Sequence, residues 1–319
     1  MNQGIFTISL DFELFWGMLD VCSADEFSED LNGTPYAITE MLRLFTQYKV
    51  HATWATVGLV FAKNAQDAAQ YFPNIEPSYL KKQLNAYYYL REHPELENVY
   101  HFAPKLVELI QNTAHQEIAS HTFSHYYCLE NTPSIEAFQA DMQAAIKIAE
   151  DKGIELKSLV FPRNQWNSDY LSILKQCGIS SYRGNENSWL YQASSENNIP
   201  IFKRIIKQFD ALINLSGFHT YPIEQVKQTY PHNIPASRQL RSHGKRWSFL
   251  NAAKKKRICQ SMEHAAKHGE IFHLWWHPED FGHNTTACIQ FLESILQYYQ
   301  KMRIQYNMQS LNMGEIANK

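Results

Sequence analysis

The 319-residue chain is 45% hydrophobic and carries a formal charge of -3, from 29 basic and 32 acidic side chains. That is enough apolar material for the core of a large α/β domain, and the near balance excludes nucleic-acid binding through a global field. No apolar run approaches the roughly 20 residues that cross a bilayer.

Strands are predicted over residues 5–10, 51–57, 117–120, 158–161, 180–182 and 271–276, where short apolar runs meet turn residues. Helices are expected between them: one opened by Thr34 and Pro35 and running to about Tyr48, and one from Pro104 to about Asn112. A third starts at Thr132 and Pro133 and is stopped by Gly153, and a fourth runs from Ser168 to Gly178. Strand and helix in alternation imply a parallel sheet, open or closed into a barrel. Residues 62–102 and 190–250 break the rhythm and read as elaborations on a single domain covering 1–319. A final helix is expected from about Thr285 to Tyr306, with Asn284 as its cap.

The N-terminus lacks the basic, apolar and small-residue segments of an export signal. The five cysteines, Cys22, Cys128, Cys177, Cys259 and Cys288, form no CxxC pair. Both features are expected of a soluble chain in a reducing cytoplasm.

Polar residues gather where the predicted strands end. In ISLDFELFWG, Asp11 and Glu13 are two apart, so on a strand both carboxylates share one face. Two such acids repel unless a cation lies between them. In EIASHTFSHYYC, His121 and His125 are four apart, a spacing that on a helical turn lets both imidazoles bind one metal ion. FPRNQWN supplies Arg163, a guanidinium able to hold a carboxylate ionised. IFHLWWHPEDFG ends its strand in His277, a candidate for proton transfer, whereas His273 reads as a core histidine. In this reading Arg163 could equally be a surface residue, and Asp11 a cap.

Taken in order, SLDFE, HATWATVG at 51–58, SHTFSH, FPRNQ, LWWHP and MQSLNMGEIA at 308–317 resemble the polysaccharide deacetylase family, the NodB-homology domain of metal-dependent carbohydrate esterases. The resemblance implies a distorted (β/α) barrel, commonly seven-stranded, with its site at the carboxyl ends of the strands. It also implies that Glu13, His121 and His125 bind a divalent metal ion, with zinc expected, that Asp11 is the general base oriented by Arg163, and that His277 is the general acid. This chain departs from the common pattern in two places. Phe12 separates the two acids, and a proline precedes Arg163 where the family has RxPY. The family also implies a residue that orients the catalytic histidine, and in SYRGNENSW the candidates are Asn185, Glu186 and Trp189.

Residues 238–257 concentrate eight lysines and arginines. They read as a solvated helix face or as a lobe for a phosphate, a sugar diphosphate carrier or an acidic glycan. Trp16, Trp166, Trp189, Trp275 and Trp276 are candidate stacking faces for sugar rings. The expected partner is a carbohydrate, nucleotide- or lipid-linked, with acetyl removal as the reaction. An allantoinase-like amidohydrolase on the same fold and a non-catalytic glycan-binding protein are the rival readings.

Overall fold

The computed structural model describes residues 3–194, 200–241 and 248–319. Ten strands form one sheet: β1 (Ile5–Phe12), β2 (Ala52–Thr56), β3 (Gln116–Ser120), β4 (Ser158–Val160), β5 (Ser181–Arg183), β6 (Tyr221–Pro222), β7 (His232–Asn233), β8 (Arg238–Gln239), β9 (Glu270–Trp276) and β10 (Gln309–Ser310). The path β9-β1-β2-β3-β4-β5-β7 is parallel throughout, seven strands long. Antiparallel β6 and parallel β8 both pair with β9, and β10 lies beside β1. Among the described residues no ladder joins β7 to β8, so the architecture is a half-open, distorted (β/α) barrel.

β1 and β2 are buried at every position, and β9 is buried along Ile271–Trp276. Strands covered on both faces lose the alternation of a half-exposed sheet and read as continuous apolar runs. Crossover helices Ser28–Tyr48, Pro104–Gln111, Ile135–Glu150, Leu171–Gln176 and Ser248–His268 return the chain to the amino ends of the strands, and Thr285–Tyr306 packs against Ser28–Tyr48 and Ser248–His268. Phe6, Phe45, Trp54, Trp276, Leu292 and Tyr299 form the heart of the core between sheet and helices. Among the described residues no helix is long and apolar enough to cross a membrane, and all five cysteines are free.

Helix starts differ from expectation in two places. The third helix begins at Ile135, behind the cap Ser134, rather than at Thr132. The first helix begins at Ser28 rather than at Thr34, and Pro35 lies inside it. Leu31 is buried and Glu29 and Asp30 occupy the first turn, so the helix gains an apolar anchor and acids at its positive end before the proline is reached. Asn284 takes the cap position of the last helix without a side-chain cap hydrogen bond.

Candidate active site

Register sets the site. Parallel pairing places Leu10 beside Trp276, Asp11 beside Ala55, Thr56 beside Ser120, Ser120 beside Leu159 and Val160 beside Arg183. The carboxyl ends of six neighbouring strands therefore stand level, and the residues at or just past them, Asp11, Glu13, His121, Arg183 and His277, meet at one mouth. This is the end of a parallel α/β sheet where ligands bind.

Glu13 is not on the strand, which stops at Phe12; a turn with Leu14 in the left-handed region (φ 50°) aims its side chain. Buried Glu279 supports that turn, its Oε1 accepting from the backbone N–H groups of Glu13 (3.2 Å) and Leu14 (2.6 Å). A Cβ at Gly17 would lie 2.1 Å from Glu13 Oε1, so a larger residue there would push this carboxylate out of its place.

The histidine pair does not sit on a helical turn. Residues 121–125 form a loop in which Thr122 (φ 62°) and His125 (φ 59°) are left-handed. Asp141, fully buried, pins it by accepting from the N–H groups of Phe123 (2.7 Å) and Ser124 (3.4 Å), from the Ser124 hydroxyl and from Tyr87 Oη (2.7 Å). These bonds replace the helical ladder that the spacing suggests.

The loop delivers both imidazoles to Glu13. His125 Nε2 lies 2.9 Å from Glu13 Oε2 and His121 Nε2 lies 3.3 Å from the same oxygen. His121 Nδ1 donates to the Val160 carbonyl at 2.9 Å, which orients the ring so that Nε2 faces Glu13. That buried Nε2 has no hydrogen-bond partner and faces a carboxylate. One ligand atom from each of Glu13, His121 and His125 converges within 4.8 Å of the others, so the set fits a divalent metal ion, His2Glu with positions left open. Burial, against the opposing pull of Glu13, lowers His125 to about 4 and keeps it in the neutral form that a metal ligand requires. Burial alone would raise Glu13, but His125, His277 and the imidazole hydrogen bonds hold its carboxyl well below the usual range.

Asp11 is held by Arg183, not by the expected Arg163. The guanidinium of Arg183 forms a fork on the carboxylate, Nη1 to Oδ1 and Nη2 to Oδ2, both at 2.7 Å. The same guanidinium donates to Ser9 Oγ and Asn164 Oδ1, each at 2.9 Å, and lies over the Trp275 ring at 4.3 Å. Ser9 in turn bonds His273 Nε2 at 2.8 Å, while His273 Nδ1 meets the Ile234 carbonyl at 3.2 Å, so His273 is a satisfied core histidine. Arg163, left-handed at φ 53°, points instead to Asp20 and to the Gly17 carbonyl, and lies over the Tyr127 ring at 4.6 Å. The physical reason is position. Arg163 follows β4 in a turn that turns back over the mouth, whereas Arg183 is the last residue of β5 and points along the sheet to Asp11. Burial would raise the Asp11 carboxyl, but Arg183, with His121 and His277, brings it below the ordinary value and keeps it ionised.

His277 Nε2 stands 3.9 Å from Asp11 Oδ2 and 3.7 Å from Glu13 Oε1, and its Nδ1 stands 3.5 Å from Asp280. Burial opposes its charge, yet Glu13, Asp280 and Asp11 outweigh it and raise the imidazole to about 10, so it is a proton donor at neutral pH. A cation beside Glu13 weakens that pull and moves His277 back toward neutrality. Asp280 is thus the group that orients His277, a role the candidates in 181–189 do not fill: Asn185 bonds the Tyr191 carbonyl, Glu186 lines the cavity and Trp189 is exposed.

A cavity of about 550 Å³ opens from these residues, a size typical of small-ligand sites. Of the candidate stacking tryptophans Trp275 lines it; Trp16 and Trp276 are core, and Trp166 packs partly buried on Tyr182.

Similarity to known proteins agrees with this geometry. The solved structure of a Mycobacterium smegmatis protein described as a polysaccharide deacetylase superposes with a TM-score of 0.60 at 12% identity, over 100% of this chain and 90% of that one. A Pseudomonas aeruginosa PAO1 protein described likewise gives 0.56 at 14%, over 98% and 89%. A PuuE allantoinase gives 0.55 at 11%, over 98% and 89%. At these identities the likeness is one of fold. No curated protein matches the sequence. The polysaccharide deacetylase family pattern matches residues 30–182, which contain the histidine loop and Arg163 and end one residue before Arg183. Over residues 30–182 the chain is thus similar in sequence to the polysaccharide deacetylase family, and over its whole length it shares that fold.

Proposed function

We propose that the chain hydrolyses the acetamide of an N-acetylated sugar, releasing acetate and a free amine, with Glu13, His121 and His125 holding a divalent metal ion, zinc by the nature of the donor set. The observation that carries this reading is the convergence of a His2Glu set with an ionised carboxylate and a protonated imidazole at one cavity. A metal in that set supplies Lewis acidity toward the carbonyl oxygen and brings a water pKa toward about 7.

Asp11 takes the proton from the attacking water, since Arg183 occupies one side of its carboxylate and leaves the face toward His277 open. The new C–O bond forms at the acetyl carbon as the C–N bond breaks, and His277 Nε2 delivers its proton to the departing amine. Asp280 on Nδ1 keeps that ring oriented and charged. Arg183 is a positioning residue and does not touch substrate in this scheme; its neighbours Ser9 and Asn164 fix its plane.

The allantoinase likeness of fold keeps a ureide as the second reading. Acetate release from N-acetylhexosamines, followed with zinc and other divalent ions, tests both. Ureide opening without acetate release would replace deacetylation, and sugar binding with no turnover under any metal would make the chain a binding module.

A further inference from the structure

The cavity has a second wall that the deacetylation scheme does not use. Lys207 from helix Ile201–Asp210, Arg241 just past β8, and Lys254 and Arg257 from helix Ser248–His268 all line it. None of these four cations forms an ion pair with a carboxylate among the described residues. Arg257 is 1% exposed, and its Nη groups go to neutral oxygens of Ser261, Asn214 and Gly217. Its Nε is buried without a hydrogen-bond partner, as is that of Arg238, which also lines the cavity and is paired with Asp210. A buried guanidinium with an unused donor costs stability unless something supplies an acceptor.

The acids of the cavity do not balance this wall. Asp11 is taken by Arg183 and Glu13 by the imidazoles. Glu186 remains; burial raises its carboxyl, and Arg238, Arg183 and Lys207 only partly oppose that. The lysines feel the excess. Burial, and then Arg241, lowers the Lys254 ammonium; Lys207 is lowered by burial and by Lys203, Arg241 and Arg204, against the pull of Glu186.

The geometry points to an anion subsite in which Lys207, Arg241, Lys254 and Arg257 hold the diphosphate of an activated N-acetylhexosamine while its acetamide lies at Glu13, His121 and His125. A diphosphate fits better than a single carboxylate, because cations arriving from three separate elements need several charged oxygens spread over more than one group. The inference rests on the deacetylase reading and deepens it: the substrate is a sugar carrying a diphosphate ester, not an internal residue of a neutral polymer. The tail beyond the diphosphate, nucleoside or polyprenyl, leaves the open side of the cavity.

Calorimetric titration of the metal-loaded protein with inorganic diphosphate tests the subsite apart from turnover. Wild type is expected to bind, and the Arg241→Gln, Lys254→Gln double variant to bind roughly tenfold or more weakly, as for loss of charge-assisted contacts. Lys254→Arg, which keeps the charge, and Lys256→Gln, on the same helix but outside the cavity, are expected to bind as wild type does. No binding at millimolar diphosphate overturns the inference. So does equal binding by the double variant, which would place the anion on the metal.

Acetate release then separates the tails. A nucleoside diphosphate N-acetylhexosamine and a short polyprenyl diphosphate N-acetylhexosamine are compared with the free sugar; a higher kcat/KM for either supports the subsite and names the tail, and no gain for both removes it. If the free sugar releases acetate while diphosphate fails to bind, only the subsite falls. If diphosphate binds through these cations but no N-acetyl substrate releases acetate, the deacetylase reading falls and the anion site stands.

Discussion

Two clusters among the described residues hold the same side chains, two histidines and a glutamate, at opposite ends of the same strands. Glu13, His121 and His125 lie past the carboxyl ends of β1 and β3. His51 and His115 lie just before the amino ends of β2 and β3, with Glu315 on the C-terminal helix Met313–Asn318. The difference is in what already occupies each donor atom. His121 spends its Nδ1 on a backbone carbonyl and keeps a buried, unpartnered Nε2, whereas His51 spends its Nδ1 on Glu315 itself, at 2.7 and 2.9 Å to the two oxygens. Glu315 is further engaged by the Asn312 N–H in a capping box, and the His115 ring is stacked on His51 at 4.0 Å. Residue type is therefore not enough to define a metal site. What counts is a ring nitrogen that the fold has oriented and left without a partner.

The largest effects should separate the clusters. His121→Ala is expected to lose both bound zinc and acetate release, and Asp11→Asn to keep zinc while turnover falls by about 10²–10⁴, the usual worth of a general base. Metal content by elemental analysis beside an acetate assay checks this. Near-normal rates in Asp11→Asn would remove the base assignment, and full zinc in His121→Ala would remove the ligand set.

Arg183 is the next test, since it decides how the catalytic end is built. It is 1% exposed and carries the whole fork on Asp11. Arg183→Gln leaves a buried carboxylate unpaired, for which a loss of about 3–5 kcal/mol is expected, together with most of the activity. Arg163→Gln should cost far less stability, because its Asp20 partner lies in a partly exposed loop. Urea unfolding of both variants measures this, and equal losses would contradict the assignment of Asp11 to Arg183.

These residues also mark how far the site could be read from the chain. Asp11, His121 and His277 were legible because each follows an apolar run, and strand ends are where a parallel fold presents chemistry. Arg183 obeys the same rule, directly after the strand expected over 180–182, but SYRGNENSW resembles the segment that orients a catalytic histidine, and that role points past the arginine to the residues after it. Glu279, in HPED, looks like a solvent acid; it is buried because the backbone of Glu13 and Leu14 needs an acceptor, a demand set by a turn 265 residues away in sequence. The main strands were legible from their continuous burial, but β6, β7, β8 and β10 are two-residue pairings fixed by tertiary contact, which no periodicity announces.

Acid should act on the same network through His273. Burial first, and then Arg183, lowers this imidazole to about 3, with the carbonyls of Ile234 and Pro235 and the Asp11 carboxylate opposing. The unfolded chain binds a proton near pH 6.5, the folded chain only near 3. The native state is thus at full advantage above about 6.5 and loses stability as pH falls between the two values, by up to about 1.4 kcal/mol per pH unit for one proton. His273→Gln keeps hydrogen-bonding groups for Ser9 and Ile234 without a titrating ring, so its stability should fall less steeply from pH 6.5 to 4. Parallel slopes for variant and wild type in urea midpoints would show that His273 is not the titrating group.

The smallest effects belong to the amino-end cluster and test the comparison from its other side. Burial tends to raise the Glu315 carboxyl, but the His51 hydrogen bond and the Asn312 N–H lower it below the ordinary value. Its contribution is therefore present at neutral pH and is lost as pH falls below about 4.5. Glu315→Ala removes half of a capping box and the His51 contact from a terminal helix, for an expected cost of about 1 kcal/mol at pH 7 that shrinks toward pH 4. His115→Ala should leave zinc stoichiometry and acetate release unchanged, because that ring stacks on His51 at the far end of the barrel from Glu13. A loss of bound zinc in His115→Ala would mean that the stacked pair also takes a metal ion, and the contrast between oriented and spent donors would no longer distinguish the two ends.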